Sequence, residues 1–284
     1  MKIGIIGNGY VGKATSNIIP DEYEKIIYDS TPEKCEPAGT TFEDLNGCNL
    51  IFVCVPTPMN RRTKHCHTNI VESVIQKIRK ELKTYSGIII RSTVPVGTSH
   101  SLDAHFMPEF LTEANWEKDI LETTDWIVGH DDVGDKDFSN SITKLINDSF
   151  NQGKIANNNI HFTSTKTAEL TKYTSNGFFA TKVAFFNEIY SFCQVANIDF
   201  EEMRAMLINS CRGRISESHT KVPGPDGKTG FGGTCLPKDL YAIQHSLWEK
   251  KIDPIVMRAV EVRNRTRDRK DQDWMDDEGR AAIR

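Results

Sequence analysis

Apolar positions in the first half of the chain fall into short runs, Ile3–Ile6, Ile26–Tyr28, Leu50–Val55, Ile88–Arg91 and Trp126–Val128, separated by amphipathic stretches. Strands alternating with helical segments predict a parallel sheet with crossover helices. Between Ile70 and Leu82 the apolar residues Ile70, Val71, Val74, Ile75, Ile78 and Leu82 recur at helical spacing, which predicts a helix covering one sheet face. A polar stretch, Asn157–Asn159, and a last short strand near Ile160–Phe162 precede a change of pattern. From Lys166 to about Ala196 the chain reads as one long helix. Asp199 is placed to cap a following helix, Phe200–Ile208, by accepting an orphan amide hydrogen. A loop from Arg212 to Thr234 carries Pro223 and Pro225, and helices resume at Pro237–Lys250 and Pro254–Arg267. The expected organisation is a sheet domain over residues 1–163, a helical domain over 164–267 and a charged tail, 268–284, that is solvated or frayed.

Composition narrows the function classes. A length of 284 residues accommodates two domains with a core in each. A net charge of −4 argues against a general polyanion-binding surface, so no nucleic-acid partner is expected. The seven cysteines lack regular spacing, and no leader or membrane-spanning run is seen, so no disulfide framework, no membrane association and a cytoplasmic location are expected.

Gly7-Asn8-Gly9-Tyr10-Val11-Gly12 follows directly on the first strand and leads into a helix. Glycines at these positions give a tight turn, a close approach of backbone to pyrophosphate and tight packing of helix on strand, with the phosphates at a helix N-terminus. Asp29 ends the second strand 22 positions after Gly7, where a carboxylate accepts the ribose hydroxyls and repels a 2′-phosphate. The expected fold class is therefore α/β, a Rossmann-type doubly wound parallel sheet followed by an all-helical central domain, and the expected cofactor is NAD. Lys34 is a further candidate at the adenosine end.

The second informative stretch is Gly230-Phe231-Gly232-Gly233-Thr234-Cys235-Leu236-Pro237-Lys238-Asp239. Its glycines permit close backbone approach to a ligand, and Pro237 suits the first turn of a helix. That places Cys235 at a helix N-terminus, where the dipole favours a thiolate, with Lys238 and Asp239 on the same turn to tune charge or position water. A free thiol is only a few per cent ionised at neutral pH, so the setting bears on reactivity. The other six cysteines read as structural. His65-Cys66-His67 has no second ligand pair at a suitable spacing, so no metal is expected.

These residues resemble the UDP-glucose/GDP-mannose dehydrogenase family, whose hallmark is a Gly-Phe-Gly-Gly-x-Cys-x-x-Lys-Asp loop. Val55-Pro56-Thr57-Pro58 and Ser92-Thr93-Val94-Pro95-Val96-Gly97-Thr98 resemble its two strand-end loops facing the nicotinamide. Pro108-Glu109-Phe110-Leu111-Thr112-Glu113 resembles its acidic loop, and Ala168-Glu169-Leu170-Thr171-Lys172-Tyr173-Thr174-Ser175-Asn176 its signature helix. The resemblance implies four-electron oxidation of a nucleotide-sugar C6 alcohol to the uronic acid, with UDP-glucose going to UDP-glucuronate. It implies that Cys235 traps the aldehyde, a second oxidation gives a thioester, and water releases the acid. Glu109 would assist that water, Lys172 and Asn176 would face the reacting centre, and Thr93 and Asp239 would hold the water and the Lys172 ammonium. Pro56, Thr57, Thr93 and Glu113 would join Gly7, Gly9, Tyr10, Val11, Gly12, Asp29 and Lys34 around the cofactor. Phe110, Leu111, Lys172, Asn176, Arg214, Phe231, Gly232 and Gly233 would line the substrate.

The family carries a third domain that holds the nucleotide diphosphate, and the chain is expected to stop where that domain begins. The apolar residues Phe178, Phe179, Phe185, Phe186, Ile189 and Phe192 on the long helix predict a homodimer through it. Two other functions stay open: a two-electron β-hydroxyacid-type dehydrogenase, which also sets Lys and Asn four apart on a helix but needs no cysteine, and a non-catalytic NAD-binding protein.

Overall fold

The computed structural model describes residues 1–83, 85–132, 136–210 and 216–283. In chain order its elements begin with strand β1 (Lys2–Ile6), helix α1 (Tyr10–Asn17), β2 (Glu24–Tyr28), β3 (Leu50–Val53), β4 (Met59–Asn60), α2 (Asn69–Glu81), β5 (Gly87–Ile90), α3 (Thr98–Ser101) and β6 (His105–Phe106). They continue with α4 (Trp116–Leu121), β7 (Asp125–Gly129), α5 (Lys136–Asn151), β8 (Asn159–Thr163), α6 (Thr165–Ala196), α7 (Phe200–Ser210), α8 (Leu236–Glu249), α9 (Ile255–Arg263) and β9 (Ala282–Ile283). They gather into two compact units, one of Met1–Thr57 with His67–Lys172 and one of Pro58–Cys66 with Tyr173–Arg284.

The first unit is a doubly wound sheet in the order β2-β1-β3-β5-β6-β7-β8. Neighbouring strands run parallel except β6 and β7, which meet in a single antiparallel register at Phe106 and Gly129. Strand residues alternate between the two faces. On one face Ile3, Ile5, Leu50, Phe52, Ile89 and Val128 pack with Phe138, Ile142, Leu145 and Ile146 of α5. On the other, Ile51, Val53, Ile88 and Ile90 pack with Val71, Ile75 and Ile78 of α2. Because both faces are covered, the central strands are apolar throughout, and β3 is buried at every position. The strand order reverses direction beside β1, between its neighbours β2 and β3. Crevices at the carboxyl ends of strands there are where such sheets take ligands.

The second unit is built from α7, α8, α9 and most of α6. Its core comprises small clusters: Phe231 with Ala180, Ala184, Leu240 and Val260; Phe186 with Cys193, Phe200 and Val222; and Tyr173 with Ala242 and Ile243. Asp199 caps α7 as expected, its carboxylate accepting from the Glu202 amide at 3.0 Å. To the helices the fold adds a short parallel pair, with Met59 beside Ala282 and Asn60 beside Ile283.

The tail departs from expectation. It is not frayed: Trp274, Ala281 and Ala282 are buried, and Arg269 is only 6 % exposed. A one-turn π-helix, Asn264–Asp268, continues α9, and a 3₁₀ turn follows at Asp273–Asp276. Two physical causes act together. A few apolar anchors are enough to hold the segment, and its charges are neutralised in pairs, Arg269 with Asp226 and Asp273 and Lys228 with Asp271 and Asp273.

Candidate active site

In the first unit the glycine turn is shaped by backbone. Gly7 has φ +98°, and a Cβ there would stand 2.5 Å from the Cys54 carbonyl oxygen at the end of β3. A Cβ on Gly12 would stand 2.0 Å from the Gly7 carbonyl oxygen, so the helix can lie against the strand only without one. Gly9 differs, because a Cβ on it would meet no atom within 4 Å. That open space lies at the N-terminus of α1, which has no side-chain cap and no acidic residue in its first turn. Pyrophosphate fits such a cradle, since α1 offers amide hydrogens and the positive end of its dipole. Tyr10 and Val11 begin the helix and are partly buried.

Asp29, at the end of β2, is locked to this turn. Its carboxylate accepts from the amides of Asn8 at 2.7 Å and Thr31 at 2.9 Å. Burial alone would raise its pKa, but the Asn8 and Thr31 amides and the Lys34 charge together hold it below the usual carboxylate value. It is thus an anion beside the cradle, suited to ribose hydroxyls. Lys34 closes the 3₁₀ turn after Asp29 and is exposed, while the side-chain amide of Asn8 donates to the Lys34 carbonyl at 2.7 Å.

The two strand-end loops are tied together. Thr57 donates its hydroxyl to the Thr93 carbonyl at 2.8 Å, and Ser92 donates to the Val55 carbonyl at 2.7 Å. Pro56 is exposed beside them. The Ser92–Thr98 loop is anchored by Glu169, a residue of the signature helix to which sequence reasoning gave no role. Its carboxylate, 1 % exposed, accepts from the amides of Gly97 and Ser99. Burial raises its pKa above the usual value against the lowering effect of those bonds. Glu169 also lies three residues before Lys172, so its grip fixes the helix face that carries the lysine.

Glu109 and Lys172 come together as a buried ion pair, 3.1 Å apart with both side chains 4 % exposed. Glu109 also accepts from the Leu111 amide at 2.8 Å, and the Lys172 ammonium lies 5.5 Å from the centre of the Phe110 ring. Leu111 packs in the core of this unit, and Phe110 and Glu113 are exposed.

The second unit holds the cysteine. Cys235 is the N-cap of α8, with Pro237 in the first turn, and its sulfur lies 3.6 Å from the Thr234 hydroxyl. Asp239, 1 % exposed, accepts from the Asn176 amide and pairs with Lys238 at 2.6 Å. Burial pulls the Lys238 ammonium down, but Asp239 together with the Cys235 and Cys66 sulfurs holds its pKa above the ordinary lysine value. A persistent cation thus sits beside the partly exposed Cys235 sulfur. Burial pushes the Cys48 and Cys54 thiols up to about 11, as befits structural cysteines. Within its own unit Asp239 thus holds Asn176 and Lys238. Phe231 is 4 % exposed, its ring an anchor in the core. Arg214 lies outside the described residues.

Two family models match the chain. The NAD-binding domain of the UDP-glucose/GDP-mannose dehydrogenase family covers residues 34–147, and the central domain of the same family covers 166–266. The chain belongs to the UDP-glucose/GDP-mannose dehydrogenase family. It is 26 % identical to a UDP-glucose 6-dehydrogenase of Rickettsia prowazekii over 94 % of this chain and 67 % of that protein. Its fold is similar to that of a UDP-D-ManNAc dehydrogenase from Pyrococcus horikoshii, with a TM-score of 0.74 at 22 % identity, over 93 % of this chain and 68 % of the other. It is also similar to a 3-hydroxyisobutyrate dehydrogenase from Mycobacterium tuberculosis, with a TM-score of 0.71 at 14 % identity and 92 % coverage of both chains. Membership makes the protein an NAD-dependent dehydrogenase of the nucleotide-sugar class. Among the described residues no helix is long and apolar enough to cross a membrane.

Proposed function

We propose that the protein oxidises the C6 alcohol of a nucleotide sugar to the carboxylic acid, removing four electrons, with UDP-glucose as substrate and UDP-glucuronate as product. The observation that carries this reading is Cys235 at the N-terminus of α8 beside the Lys238–Asp239 pair. NAD, when bound, supplies the acceptor for the hydride lost in each of the two oxidations. The sulfur of Cys235 adds to the aldehyde carbon, forming a C–S bond while the carbonyl oxygen takes up a proton. The second hydride then leaves that carbon as its hydroxyl gives up a proton, and the product is a thioester. Water then attacks it, the C–S bond breaks, and the thiol is restored as the acid departs. Covalent capture keeps the aldehyde from escaping between oxidations. In this scheme Glu109 accepts the proton of the attacking water and the Lys172 ammonium stabilises developing negative charge on oxygen. Asn176 and Asp239 orient groups around the cysteine, and Thr93 holds water on the loop braced by Glu169.

The test is stoichiometric. Purified protein given NAD and single UDP- or GDP-sugars should yield two NADH per acid formed, with acids identified by mass. One NADH per substrate would point to a two-electron alcohol dehydrogenase. Cys235→Ala should form no acid, and its normal turnover would eliminate the covalent scheme. Loss of the Glu109 carboxylate should slow thioester hydrolysis by roughly 10²–10⁴.

We also propose that the protein is a homodimer. Phe178, Phe185 and Phe192, 62, 55 and 64 % exposed, recur every seven residues along α6 and so form one apolar stripe. Another copy of that stripe is its natural cover. Phe185→Glu should shift the sedimentation profile to monomer, and an unchanged profile would reject this interface.

A further inference from the structure

The glycines of the cysteine loop are occupied from an unexpected side. A Cβ on Gly230 would stand 2.3 Å from the Asn264 side-chain oxygen and 3.1 Å from the Arg269 Cβ. A Cβ on Gly232 would stand 2.5 Å from the centre of the Arg269 guanidinium. The segment following α9 therefore fills the places of those two missing side chains.

Its bonds are as specific as its packing. Asn264, 2 % exposed, accepts from the Phe231 amide at 2.9 Å and donates to the Phe231 carbonyl at 2.8 Å, so one side-chain amide satisfies both polar groups of that residue. The Thr229 hydroxyl donates to the Asp268 carbonyl. Arg269 grips Asp273 through two parallel bonds of 2.7 Å and reaches Asp226, ahead of the glycines, at 2.6 Å. Lys228 spans to Asp271 at 2.9 Å and Asp273 at 2.8 Å. From the other side, Asn187 of α6 accepts from the Gly230 amide at 3.0 Å. A glycine-rich stretch has large conformational freedom to lose, and ties at Asp226, Lys228, Thr229, Gly230, Phe231 and Gly232 remove it before any ligand arrives.

We propose that Asn264 and Arg269 are positioning residues for the nucleophile: the segment after the last helix straps the Asp226–Gly232 backbone and so fixes where Cys235 presents its sulfur. The proposal rests on the reading of Cys235 as nucleophile. Arg269 acts through the loop and not on substrate, because its guanidinium is 5 % exposed and held by two carboxylates.

The test uses the full chain and reads the loop and the reaction separately. Asn264→Ala and Arg269→Lys would be compared with wild type by amide hydrogen exchange of the peptide spanning residues 228–236, by kcat and KM, and by NAD affinity. The expected result for Asn264→Ala is exchange in the loop faster by about tenfold, as for loss of one or two buried hydrogen bonds. Its kcat should fall by a similar factor, while KM and NAD affinity stay within about twofold of wild type. Arg269→Lys keeps the charge but loses the fork, so it should fall between the two. Unchanged loop exchange in a folded variant would overturn the proposal, as would faster exchange with undiminished kcat. If Asn264→Ala does not fold, Asp226→Asn, a change at a half-exposed carboxylate, takes its place with a shift of about threefold expected. Faster exchange together with normal turnover by Cys235→Ala would keep the strap and remove the cysteine from the chemistry. An unmoved loop with an inactive Cys235→Ala would do the reverse.

Discussion

Gly7–Gly12 and Gly230–Gly233 look alike as text and are made by different physics. In the first, glycine is demanded by main chain: Gly7 faces a carbonyl of the neighbouring strand and Gly12 faces the carbonyl of Gly7 itself. In the second, Gly230 and Gly232 face side chains of Asn264 and Arg269, more than thirty residues further on, and Gly230 and Gly233 also have left-handed backbones, φ +72° and +70°. Each turn leaves one glycine, Gly9 or Gly233, with nothing within 4 Å of its absent Cβ. Room for a ligand is therefore open at Gly9 and Gly233, and the closed members report what the protein itself packs there.

Substitutions at each kind of glycine can break that contrast. The largest effect is expected for Gly7→Ala, which combines a left-handed backbone with a clash against main chain that cannot swing away. It should cost roughly 2–5 kcal/mol in chemical denaturation and abolish NAD binding. Gly232→Ala should cost less, about 1–2 kcal/mol, because it meets the end of a side chain and not main chain. In an Arg269→Ala background the same substitution should cost under about 0.5 kcal/mol, and additive penalties in that double-mutant cycle would show that the two residues do not meet. Gly9→Ala should leave stability unchanged to within about 0.5 kcal/mol while weakening NAD at least about tenfold by calorimetric titration. Equal affinity would mean that the open space is not the cradle.

The smallest effect is that of moderate acid. Asp273, bonded to Arg269 despite the opposing pull of burial, and Asp29, bonded to backbone amides against the same pull, both have pKa values lowered in the folded state. A lowered folded value means that each carboxylate's contribution is complete above the ordinary unfolded value of about 3.9 and is lost only as pH falls below it. Denaturation midpoints between pH 7 and 5 should accordingly show no contribution from either group. A drop confined to that window and abolished by Asp273→Asn would contradict the assignment.

Much of the first unit was legible because its causes are local. Period and run length located β1, β2, β3, β5, β7, β8 and α2, and the offset from Gly7 to Asp29 pointed to a pair that the structure joins through Asn8. The strand β6 is not legible because two residues are too short to show a period, whereas Phe138, Ile142, Leu145 and Ile146 in α5 do recur at helical spacing. The partners of Cys235 were partly legible, since Lys238 and Asp239 lie on its own helix. Glu169, Asn264 and Arg269 were not, because a buried polar side chain acquires its role from whatever backbone the fold brings to it. The tail misled for a related reason: charge density reads as solvation until each charge has been given its opposite.

The pairing of Met59 with Ala282 has a bearing on how the protein comes into being. Strands so distant in sequence cannot join until residue 282 has been synthesised, whereas the sheet from β1 to β8 can close once residue 163 has emerged. The early excursion at Pro58–Cys66 must wait on the ribosome for its neighbour. A nascent chain stalled shortly before residue 282 would carry a completed nucleotide fold and a Met59 strand without its partner.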